Sequence, residues 1–91
     1  MYFVYILESK INHSRYIGSC KDLIRRIDLH NRGFVKSTKR YTPWNLIYEE
    51  RFDSFSNARK REVQLKSWKK RIAIENLIKS RIHDNSGGPI V

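Results

Sequence analysis

With 91 residues, the chain is one domain with a small core, burying roughly 60–65% of the surface that its unfolded form exposes. Its net charge of +10, from 19 basic and 9 acidic side chains, points to an anionic partner, nucleic acid first; no helix pattern pairs an apolar face with a basic one, which sets a membrane surface aside. The single cysteine, Cys20, excludes an internal disulfide and suits a reducing cytoplasm, the apolar run 2–7 is too short for a bilayer span, and the start lacks a signal peptide's basic n-region.

Residues 2–8 are β-branched and aromatic almost throughout, which predicts a strand buried on both faces. A polar turn at 9–14, with Asn12, leads to a second strand at 15–20, so the two should form an antiparallel hairpin. If Tyr5 lies opposite Tyr16, both phenols share a face. Asp22 or Ser19 can cap a first helix carrying Leu23, Ile27 and Leu29, which Gly33 ends. Residues 34–43 form a basic loop with Lys36, Lys39 and Arg40. Alternation over 44–52 predicts a third strand with Leu46, Tyr48 and Glu50 on one side. Ser54 or Ser56 caps a second helix reaching about Lys66. Ile74, Leu77, Ile78 and Ile82 define a third by their helical spacing. Gly87-Gly88-Pro89 ends regular structure. The order ββαβαα predicts an α+β fold, a three-stranded antiparallel sheet flanked by helices, with the domain at 1–82 and a disordered tail at 83–91.

Charge is concentrated late: residues 54–82 carry nine basic and two acidic side chains. Within that segment Glu62 shares a face with Ala58 and Leu65. A carboxylate on an apolar stripe needs a partner: Arg59 or Lys66 on its own helix, or a bound cation. Mg²⁺ fits the second alternative, because it takes one or two protein carboxylates and completes its shell with water and phosphate. Arg26 and His30 are one helical turn apart. Arg26 can fork onto a phosphate or pair with Asp22; His30 can shuttle a proton, contact a phosphate or face the helix dipole. Tyr5 and Tyr16 are core aromatics by default, and activators of water if their hydroxyls reach the solvent end of the sheet. Gly18 either admits a phosphate backbone or marks a bulge. Trp44 and Trp68 are assigned to the core. Cys/His zinc spacing, a Gly-rich phosphate loop and a serine nucleophile motif are all missing from the sequence.

Phe3-Val4-Tyr5, Tyr16-Ile17-Gly18, Lys21-Asp22-Leu23, Arg26, His30 and Glu62, in this order, resemble the GIY-YIG nuclease family over residues 2–80. Residues 33–38 and 41–44, with Arg61-Glu62 and residues 65–68, are similar to its small single-domain bacterial members. The resemblance implies a metal-dependent endonuclease that hydrolyses DNA phosphodiesters. On that resemblance Glu62 would hold one divalent ion, Mg²⁺ or Mn²⁺, and Arg26 would stabilise the phosphorane. Tyr5 and Tyr16 would position or deprotonate water, and His30 would assist proton transfer or phosphate binding. Gly18, Lys21, Arg25, Lys36, Lys39, Arg40 and Lys66 are the expected nucleic-acid contacts. Of the first triplet only the tyrosine is kept, and Asn76 is the nearest residue to the family's late asparagine. With no appended domain in view, cutting should have low intrinsic sequence specificity, with branched or otherwise structured DNA or a protein partner supplying the rest. The alternative is a catalytically inactive nucleic-acid-binding module, which predicts the same salt-sensitive binding without dependence on Glu62.

Overall fold

The apolar run near the start forms the middle of the sheet. In the computed structural model, which describes the backbone of residues 1–87 and the side chains of residues 1–80, β1 (Tyr2–Ser9) lies between β2 (Arg15–Cys20) and β3 (Trp44–Phe52). Both pairings are antiparallel. Val4, Tyr5, Ile6 and Leu7 are all fully buried, as a central strand covered on both faces requires. Helices α1 (Leu23–Asn31), α2 (Phe55–Ser67) and α3 (Arg71–Gly87) complete the expected order, with a short 3₁₀ turn, Lys39–Tyr41, in the basic loop.

The local chemistry fixes the helix ends. The Asp22 side chain, not Ser19, accepts from the Arg25 N–H at 3.1 Å and caps α1. Gly33 follows that helix with φ +81, where only a residue without Cβ sits unstrained. Ser54, not Ser56, caps α2 by accepting from the Asn57 N–H. In the β1–β2 turn Asn12 Oδ1 accepts from the Ser14 N–H and hydroxyl, and His13 takes a positive φ of 61.

Two expectations about the sheet need correction. Tyr5 lies opposite Gly18, and Tyr16 opposite Leu7, so the phenols are not a direct cross-strand pair. The offset is two residues, an even number, so both still project to the same face. In β3 a bulge opposite Ile6 and Leu7 adds Ile47, so Ile47 and Tyr48 both face Val4 and Ile6 while Leu46 turns to the other side.

Each face carries its own core. Val4, Ile6, Tyr48, Ala58, Leu65, Ile74 and Ile78 pack together beneath α2 and α3. Tyr5, Leu7, Leu23 and Trp44 pack on the other face beneath α1, with Ile27 against them. Trp44 is buried and Trp68 packs at the edge of the first core, in keeping with their assignment. Arg15 ties α3 to the hairpin through Glu8 and Glu75, and Arg71 adds a bond to the His13 carbonyl. The Ile82 side chain and residues 88–91 lie outside those described; of the expected tail at 83–91, the backbone of residues 83–87 continues α3. No helix among the described residues is long and apolar enough to cross a membrane.

Candidate active site

Strand alternation aims Tyr5 from β1 at α1, where its phenol meets two side chains one helical turn apart. Arg26 Nε donates to the Tyr5 oxygen at 3.4 Å, and the same oxygen lies 2.9 Å from His30 Nε2. His30 Nδ1 lies 2.7 Å from Thr38 Oγ1, whose hydroxyl donates to the Val35 carbonyl. One assignment of the protons satisfies all of these partners. Arginine can only donate, and the Thr38 hydrogen is committed to Val35, so Thr38 accepts from His30 Nδ1–H. Nε2 is then the bare nitrogen and accepts the Tyr5 O–H. The relay therefore runs Arg26, Tyr5, His30, Thr38, Val35, with a neutral imidazole at its centre.

Electrostatics agree. Burial, reinforced by the Arg26 charge, lowers the His30 pKa to about 4. Burial also pushes the Tyr5 phenol up to about 12, against the opposing pull of Arg26. Tyr5 is fully buried. His30 is equally sealed; it does lie in the last turn of α1, as one reading allowed, but as a neutral ring it brings no charge to the helix dipole. Arg26 is not paired with Asp22 either: Asp22 caps the helix, and Arg26 turns inward to Tyr5. A Cβ on Gly18 would stand 2.6 Å from the Tyr5 hydroxyl oxygen and 3.0 Å from Tyr16. The missing side chain thus makes room for the phenol.

Tyr16 is the more open phenol, half-buried, with its ring 5.0 Å from that of His30 and 6.3 Å from that of Tyr5. Glu62 arrives from the opposite face of the sheet. It is buried beside Ala58 and Leu65 on α2, as its spacing predicted. Ser19 and Arg59 donate to one carboxylate oxygen, at 2.5 and 3.0 Å, and Lys66 reaches the other at 2.7 Å. Burial would raise its pKa, but Lys66, Ser19 and Arg59 together outweigh burial and hold it low, so Glu62 is ionised. The Lys66 ammonium also lies 5.9 Å from the Tyr16 ring centre. It bends round the β2 edge and joins the two faces into one site.

The donor set fits a metal of one kind. No group of three or more His, Cys, Asp or Glu that could hold an ion occurs among the described residues, so a closed protein cage is not built here. A single ionised carboxylate flanked by half-exposed cations matches Mg²⁺ or Mn²⁺ sharing its shell with water and phosphate oxygens. The remaining expected contacts scatter over the surface. Lys21 and Arg25 are exposed at the start of α1, Lys36, Lys39 and Arg40 on the loop behind Thr38. Asn76 is exposed on α3 beside Trp68 and Ala73. Sequence reasoning missed Thr38 and Ser19 as site neighbours, and nothing local marks either; Arg59 and Lys66, named from their spacing as partners of Glu62, both hold its carboxylate. Cys20, its thiol pushed by burial up to about 11, is no nucleophile.

Residues 1–78 match the family described as the GIY-YIG catalytic domain. UPF0213 proteins of Staphylococcus aureus strains Mu3 and Mu50 are each 38% identical over 81 residues, covering 88% of this chain and 96% of theirs. The solution NMR structure of a UPF0213 protein from Bacillus halodurans superposes with a TM-score of 0.56 at 34% identity, over 87% of this chain and 84% of that one.

Proposed function

Because the chain belongs to the GIY-YIG family, whose catalytic domain is a nuclease domain, we propose that it is an endonuclease hydrolysing DNA phosphodiester bonds with a divalent ion at Glu62. The observation that carries this reading is the convergence of Tyr5, Tyr16, Arg26 and His30 on one face with an ionised Glu62 linked round the sheet edge through Lys66. A structural ion pair needs no such convergence.

The side chains divide the work by exposure. Arg26, partly open, balances charge that builds on the phosphoryl oxygens as water attacks. Tyr16 is the phenol that can meet that water; its oxygen orients the water, whose proton passes to solvent while the new P–O bond forms, and the departing strand oxygen is protonated from solvent. Tyr5, sealed between Arg26 and His30, is a positioning residue: its oxygen holds the guanidinium, and His30 holds its proton. Bound Mg²⁺ or Mn²⁺ would supply Lewis-acid stabilisation of the phosphate charge. For that, Arg59 and Lys66, both long and about half exposed, swing off the carboxylate.

Gly18, Lys21, Arg25, Lys36, Lys39, Arg40 and Lys66 supply phosphate contacts without base readout, so specificity is low and comes from DNA shape or a protein partner. We place the activity in the cytoplasm, in line with the lone reduced thiol. A second reading, a binding module without catalysis, draws on the fact that Ser19, Arg59 and Lys66 already satisfy Glu62.

Cleavage of supercoiled plasmid and branched DNA with Mg²⁺ or Mn²⁺ separates the two. Wild type should cut, and Glu62→Ala and Arg26→Ala should each lose on the order of a hundredfold or more while still folding and binding DNA. Binding with no cutting selects the binding module; cutting indifferent to Glu62→Ala removes Glu62 from the site.

A further inference from the structure

Phe34 is 69% exposed, one of the largest apolar side chains at the surface. Exposed apolar residues occur singly in most proteins, so exposure alone says little. The backbone says more. Gly33 N–H donates to the His30 carbonyl and Phe34 N–H to the Leu29 carbonyl. With Arg32 as the helix cap, this is a Schellman motif, and Phe34 occupies the position whose side chain commonly folds back onto Leu29. Here the ring stays out. The Arg32 guanidinium lies 5.8 Å from the ring centre.

The surroundings are mostly cationic, with Asp28 paired to Arg32 at 3.5 Å. From residue 29 to residue 48 the sequence holds no acid, while Arg32, Lys36, Lys39 and Arg40 are all exposed. The loop is also rigid at its root. Thr38 accepts from His30 and donates to Val35, and the Trp44 indole N–H donates to the Thr38 carbonyl at 2.8 Å. An exposed aromatic ring therefore stands among cations on a backbone anchored at both ends, on a segment bonded directly to the imidazole behind Tyr5.

We propose that Phe34 is a stacking platform for an unpaired nucleobase, and that the substrate class of this site is DNA with a single-stranded stretch running over the residue 32–40 loop. The proposal rests on the nuclease reading for the word substrate, but the contact itself is independent of cutting. A paired base keeps both faces stacked inside the duplex and has none to offer Phe34; an unpaired base does. The cations hold the phosphates on either side of it.

The test is fluorescence anisotropy with a labelled thymidine oligonucleotide and a duplex of equal length, in EDTA so that no strand is cut. Stacking on an aromatic side chain is worth about 1–3 kcal/mol per base, roughly 5- to 150-fold in affinity. Phe34→Ala should weaken oligonucleotide binding by at least about fivefold and leave duplex binding within about twofold of wild type. Phe34→Trp should bind the oligonucleotide as well as wild type or better. A smaller loss, an equal loss on the duplex, or a Trp variant as weak as the Ala variant overturns the platform. Failure of the nuclease reading shows elsewhere, as absent cleavage in Mg²⁺ by a protein that still binds.

Discussion

At the residue scale, His30 and Gly18 tell most about the site. His30 is neutral because it is buried, and its folded pKa of about 4 lies below the unfolded value of 6.5. Between these values the unfolded chain binds the proton and the folded one does not. Stability is therefore whole above about pH 6.5 and is lost as pH falls towards 4, by on the order of 3 kcal/mol in all. Urea unfolding of wild type at a series of pH values should show that slope, and His30→Gln should flatten it. Glu62 contributes in a lower window: its folded pKa is depressed, so its share is present above the unfolded carboxylate value and disappears as pH falls below it. Gly18→Ala places a methyl 2.6 Å from a phenol that has nowhere to go. It should cost about 1–3 kcal/mol of stability by urea unfolding and loosen Arg26 through Tyr5, lowering turnover more than DNA affinity.

At the element scale, legibility followed the range of the interaction. The strands, the three helices and Gly33 were readable because β-branched runs, helical spacing and caps are local patterns. So was the buried position of Glu62, since Ala58 and Leu65 share its helix. The Tyr5–Gly18 register was not readable, because it depends on how the residue 10–14 turn closes. Nor was the Ile47 bulge, which breaks the alternation that put Leu46 beside Tyr48. The Ser19 contact joins residues 43 apart and the Thr38 contact closes a loop of eight, and neither leaves a trace in local sequence. Helix α2 carries Glu62 into place, and its start rests on one side-chain bond, Ser54 to the Asn57 N–H. Ser54→Ala should lower stability by about 1 kcal/mol in thermal unfolding, with Ser54→Asp close to wild type.

At the scale of the whole molecule, charge dominates. A domain of 91 residues with a net charge of +10 repels itself and attracts any polyanion. Its affinity for DNA should drop roughly 40- to 150-fold between about 50 and 200 mM salt if about three or four phosphates are neutralised. Anisotropy titrations across that range measure the slope, and a flat response would mean that the surface cations do not meet the backbone. The Arg15 ion pairs with Glu8 and Glu75 work against this repulsion, joining α3 to the β1–β2 hairpin.

Lys66 reaches round β2 because β2 is an outer strand, with no further strand paired to it among the described residues. Tyr16 and Ser19 project from that strand to opposite sides, so a substrate must arrive edge-on to touch both. The two borders of the sheet are therefore unequal. A peptide or second sheet that added a strand alongside β2 would stand in the doorway and act as an inhibitor. One that added a strand alongside β3 would leave the entrance open, and that border is the one free to recruit a companion without silencing the chemistry.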